Sequence, residues 1–147
     1  MAGAFRDASF REKTAWAMAV LLTAAGAFYA WEVGGAWLAG AAAPPPSIKL
    51  AWVYVFIVVA GAIISMSTLG ASDPKGADQA PDERERVIQD RAGNWSGYIL
   101  AAGVIGGLLH YYVHRDGNLL FHAATAGLML SQIAEYVFQI TLYRRGV

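Results

Sequence analysis

Three histidines and two glutamates stand out because they lie in or beside long apolar segments. There an ionisable side chain is costly and usually has a task. His110 and His114 are four residues apart and share one helix face. His122 lies eight residues further on, and Glu32 sits in the outer part of the first apolar segment. If these four side chains meet at one depth, they could hold a divalent transition metal such as Zn²⁺, Cu²⁺ or ferrous iron. Neutral imidazole supplies a ring nitrogen, and the carboxylate offsets the ion's charge. Two histidines on facing helices could instead ligate haem iron, with Asp116 orienting a ring from behind. The competing reading is that the histidines bond to water, headgroups or loop carbonyls while Glu32 reaches the aqueous surface.

A second polar set lies further along the chain. Gln132, Glu135 and Gln139 fall within about 60° of one another on a helical wheel. Ser131 lies beside them, Thr125 extends the stripe, and Ser65, Ser67 and Thr68 occupy another segment. A carboxylate there must be protonated, paired or wet. Glu135 is thus a candidate titrating group on a proton or cation path; the alternative is interhelical hydrogen bonding that fixes register. No catalytic residue is assigned, because the chain has no H-E-x-x-H, phosphate-binding loop, dinucleotide fingerprint or nucleophile–base pair.

The elements that must position these residues are apolar helices. The chain is 56% apolar or aromatic, 15% charged, formally neutral and free of cysteine. Neutrality argues against nucleic acid as a partner, and the missing thiols exclude disulfides and thiolate metal sites. Apolar segments at about 14–38, 50–69, 95–113 and 119–142 are each long enough to cross roughly 30 Å of hydrocarbon. The expected fold is therefore all-α, a single polytopic membrane domain over 1–147 built as a four-transmembrane-helix bundle. Pro44, Pro45 and Pro46 interrupt the first connection, and the run at 114–118 forms a tight turn that Asp116 and Asn118 suit and in which Gly117 tolerates positive φ.

Nine of the eleven basic residues, Arg6, Arg11, Lys13, Lys75, Arg84, Arg86, Arg91, Arg144 and Arg145, fall in the N-terminal segment, the central loop and the C-terminal end. Only Lys49 and Arg115 fall in the other two connections. This asymmetry places both termini inside an inner cell membrane, N-in and C-in. Trp16 and Trp95 then mark the inner interface, and Trp31, Trp37 and Trp52 the outer one. The basic start and Ala25-Gly26-Ala27 also suit a cleaved signal peptide, but the apolar run continues well past that point, which favours a retained span.

The central loop, 71–94, contains an acidic-led run at 82–92 that reads as a helix start, with Asp82 as N-cap and Glu85 closing a capping box. Arg84 and Arg86 are expected to pair within this run, with Asp82, Glu83, Glu85 and Asp90. The Asp82-Glu83-Arg84 motif followed by Ile88 and Ala92 resembles small bacterial four-helix membrane proteins of uncharacterised activity. The likeness implies a transmembrane entry and no chemistry. Trp31-Glu32-Val33-Gly34-Gly35 and Trp95-Ser96-Gly97 are similar to short motifs of small multidrug resistance transporters. That likeness would make Glu32 a proton-coupled site, although here it lies near a helix end. Gly103 and Gly107 form a G-x-x-x-G pair on the face shared with Ser96, His110 and His114, suited to close helix packing. That face, or the alanine-rich face of the first segment, could also build a homo-oligomer or join a larger membrane complex. Two functions follow: a membrane binding or accessory protein with a His/Glu metal or haem site, or a small proton-coupled transporter using Glu32 or Glu135.

Overall fold

A computed structural model describes residues 8–38 and 42–145, and Arg6 falls outside them. The described residues form helices joined by short connections, with no strand among them. They are α1 (Phe10–Leu38), α2 (Ile48–Ser72), the short α3 (Pro74–Asp78), α4 (Glu83–His114) and α5 (Gly117–Arg145). Three of these, α1, α2 and α4, are long and apolar enough to cross a membrane. Helix α5 matches α1 at 29 residues. It is the more polar of the two because it carries His122, Ser131, Gln132, Glu135 and Gln139.

Local chemistry sets the boundaries. Ser47 follows the three prolines, and its hydroxyl accepts from the Leu50 amide at 3.3 Å, which starts α2. Asp82 caps α4 in the capping box expected of it. Its carboxylate accepts from the Glu85 amide at 2.7 Å, while Glu85 accepts from the Asp82 amide at 3.3 Å. Helix α4 then runs unbroken for 32 residues, about 48 Å. This exceeds the roughly 30 Å of a bilayer core, and the acidic-led run is the first part of the same helix.

The turn between α4 and α5 is tight, as expected. The left-handed residue is Arg115, at φ 57°, and Gly117 opens α5. A non-glycine residue in this region costs roughly 1–2 kcal/mol. The cost is offset by the Arg115 amide donating to Tyr111 O at 2.8 Å and by its guanidinium lying 5.6 Å from the Tyr112 ring centre. Asp116 accepts from the Leu119 amide at 3.0 Å, which makes it the cap of α5.

Extensive packing joins the long helices in the order α2–α1–α5–α4, an open row in place of a closed ring of four. The α4–α5 seam is built from small residues. A methyl group added to Gly103 would lie 2.6 Å from Gly127 Cα, and one on Gly107 would lie 3.1 Å from Ala123 Cβ. The G-x-x-x-G pair thus meets Ala123 and Gly127 of α5, an antiparallel match of small residues that lets the backbones touch. Because α5 fills this face, it is not open for self-association. Ala15, Ala19 and Ile140 join α1 to α5 near one end, and Tyr29, Val33 and Met129 do so near the other, where α2 adds Leu50 and Tyr54. Helix α2 has no fully buried residue.

The start of α1, the end of α5 and the central loop lie at one end of the row, where an ionic collar joins them. Arg11 Nε meets Glu85 at 3.1 Å, and Arg11 also donates to Gln79 O at 2.9 Å. Arg144 lies 3.8 Å from Glu12. Arg84 donates to Tyr143 O at 3.3 Å, satisfying a terminal carbonyl of α5. The charged run therefore reaches across to α1 and α5. Burial, then the Glu85 carboxylate, pushes the Tyr143 phenol up to about 12, so it stays protonated at neutral pH.

Gly103→Leu should destabilise the α4–α5 pair by about 2 kcal/mol through overpacking. Gly106→Leu, where an added methyl meets nothing within 4 Å, should cost far less. Unfolding of the two variants in detergent, followed by circular dichroism, checks the contrast; equal losses would show that the seam is not the constraint.

Candidate functional site

The polar site at the other end of the row is built around His122, which is 7% exposed. Its Nε2 lies 2.8 Å from Pro44 O and its Nδ1 3.0 Å from the Tyr29 hydroxyl. A carbonyl only accepts, so Nε2 carries the hydrogen. In the neutral ring Nδ1 then accepts from Tyr29. The contact has a cause in the sequence. Consecutive prolines lack amide hydrogens, and the segment's carbonyls must find donors elsewhere. Asn118 supplies another, donating to Ala43 O at 3.1 Å. The first connection is thereby tied to the start of α5.

Glu32 and His122 line one cavity of about 360 Å³, together with Pro44, Ser47, Lys49 and Val33. The cavity lies where α1, the proline connection, the start of α2 and α5 meet. Glu32 is exposed and has no ion pair among the described residues. The cavity thus combines a carboxylate, an imidazole of fixed tautomer, a hydroxyl and an ammonium group. Those groups can bind a small charged solute or a cation.

The other two histidines are placed differently. Gly103 against Gly127 and Gly107 against Ala123 set a register that puts His110 about level with residue 120, roughly 3 Å in depth from His122. Depth is shared, as expected, but direction is not. His122 turns toward Tyr29 of α1, whereas His110 stacks on His114 with ring centres 4.2 Å apart. His114 is exposed, and its Nδ1 contacts His110 O at 3.3 Å. His110 Nδ1 is buried without a partner among the described residues. Among the described residues no three His, Asp or Glu side chains converge as a metal-holding group. The expected set is divided into Glu32 with His122 and His110 with His114, and Asp116 is committed to capping α5.

The second polar set is also divided. Gln139 is buried and donates to Glu135 Oε1 at 3.4 Å, and Glu135 is half-buried. Ser131 is buried and bonds back to Leu128 O at 2.9 Å, while Gln132 is exposed. Tyr29 and Pro44 are the site residues that the sequence did not single out. The available signal was the unmet carbonyls of a proline run opposite a histidine one turn into a helix.

Tyr29→Phe should cost about 1 kcal/mol, a single hydrogen bond, while His122→Ala should cost more and release the proline connection. Hydrogen exchange and limited proteolysis at 42–50 check this; unchanged protection in His122→Ala would show that the connection is held by other contacts. No protein-family model, curated protein or solved structure matches this chain.

Proposed function

We propose that the chain is a small multi-pass protein of the inner cell membrane, with four spans and both termini inside. In this reading it serves as a binding or accessory protein whose ligand site is the outer cavity of Glu32 and His122. The topology rests on the nine-to-two partition of basic residues and on the length of α5, in which His122, Ser131 and Gln139 are buried and hydrogen-bonded. Single cysteines placed at Ser47 and at Ala80 should be labelled by an impermeant maleimide from opposite sides of inner-membrane vesicles. Labelling from the same side would remove the topology.

The observation that carries the ligand reading is the joint lining of one cavity by a carboxylate and a tautomerically fixed imidazole. Both ring nitrogens of His122 are engaged, Nε2 by Pro44 O and Nδ1 by the Tyr29 hydroxyl. Glu32 and His122 would suit a divalent transition metal once one of those hydrogen bonds is given up to free a ring nitrogen toward the shared cavity. Lys49 would extend toward water. Titration with Zn²⁺, Cu²⁺ and Fe²⁺, with metal analysis and an absorption spectrum, tests this. Binding should fall about tenfold or more in Glu32→Gln and in His122→Ala, and persist in the His110→Ala/His114→Ala pair. Loss only in the latter would move the ion to the stacked histidines. A haem band lost in either set would identify haem, and no metal or haem signal would overturn the reading.

A second reading is favoured by the Gln139–Glu135 contact within α5. Glu135 would then be the titrating group of a small proton-coupled transporter. Proton flux into proteoliposomes that survives Glu135→Gln would dismiss it.

A further inference from the structure

We infer that an anionic phospholipid occupies a groove between α1 and α5, with its phosphate held by Arg144 and Arg145. Two cavities mark this groove. One, of about 810 Å³, is lined by Ala19, Ala24 and Ala27 of α1 and by Val137, Arg144 and Arg145 of α5. The other, of about 600 Å³, shares Thr23 and Ala27 with the first and continues past Ala126 to Leu119. Together they run along 26 residue steps of α5, about 39 Å, which exceeds the hydrocarbon core of a bilayer. Small side chains on α1 leave this side of the α1–α5 contact open, and its walls are almost wholly apolar.

The charge lies at one end only. Arg144 and Arg145 are both exposed and line the groove where α5 leaves the bilayer. The Arg144 guanidinium lies 5.1 Å from the Trp16 ring centre, which holds it over the groove. Its contact with Glu12 is long, at 3.8 Å, and half-exposed, so it competes weakly with a phosphate. Guanidinium groups bind phosphate through paired donors, and below them the groove offers acyl-chain contact. A second copy of this chain is a poorer occupant. Two-fold docking on this alanine-rich face would bring four arginines together, whereas an anionic lipid neutralises them.

The inference rests on α5 lying in the bilayer but not on the ligand of the outer cavity. Its test is native mass spectrometry of protein released from micelles carrying phosphatidylglycerol or phosphatidylcholine. One phosphatidylglycerol per chain should remain bound in preference to phosphatidylcholine. Arg144→Gln/Arg145→Gln should weaken this by about tenfold or more, the contribution of two arginines near a charged surface. Ala24→Leu/Ala27→Leu, which fills the groove and keeps the charges, should displace the lipid as well. Helical content and melting in phosphatidylcholine micelles confirm that both variants fold. Equal retention of both lipids, retention in either variant, or a dimer mass in place of a lipid adduct would overturn the proposal. Cysteine labelling that places α5 outside the bilayer would instead remove the topology beneath it.

Discussion

The approach of Gly103 to Gly127 is the constraint on which the rest of the molecule depends. With no side chain between them, α4 and α5 touch along their backbones, and α5 is held at a fixed rotation. That rotation turns His122 toward α1 and buries Ser131 and Gln139. A helix this polar is poorly suited to lipid on all sides. Packing between α1 and α4 buries one side of it, where Tyr29 of α1 meets His122, and Ser131 and Gln139 are satisfied within the helix.

The two ends of the row solve different problems. At the collar end, charged residues from three parts of the chain meet in water or near it, so each pair contributes little alone and their value lies in joining α1, α4 and α5. At the opposite end, neutral donors serve carbonyls that prolines have left unmet. There a hydrogen bond is partly shielded from solvent, and losing one partner leaves the other exposed to a desolvation penalty.

Much of this was legible in the sequence because it depends on local rules. The Asp82–Glu85 box, the proline break and the close-packing role of Gly103 and Gly107 each follow from short spacings. The sharing of depth by His110 and His122 follows from a short hairpin. What spacing does not encode is rotation between helices. The wheel put His110 and His114 on the seam face, but it could not say that the seam ends at Gly107 and that the rings beyond it stack on each other. Nor could it show that Arg84 spans to Tyr143, since that depends on where α5 ends. Arg115, a non-glycine residue in the left-handed conformation, is a case where specific contacts outweigh backbone preference.

Helix α2 packs mainly along α1 and buries no residue fully, yet its first turn forms one wall of the cavity that holds Glu32 and His122. Leu50 and Tyr54 of α2 pack against the Tyr29–Val33–Met129 cluster that bridges α1 and α5. The width of the cavity mouth is thus set by how α2 leans on that cluster, apart from the Gly103–Gly127 seam that joins α4 to α5.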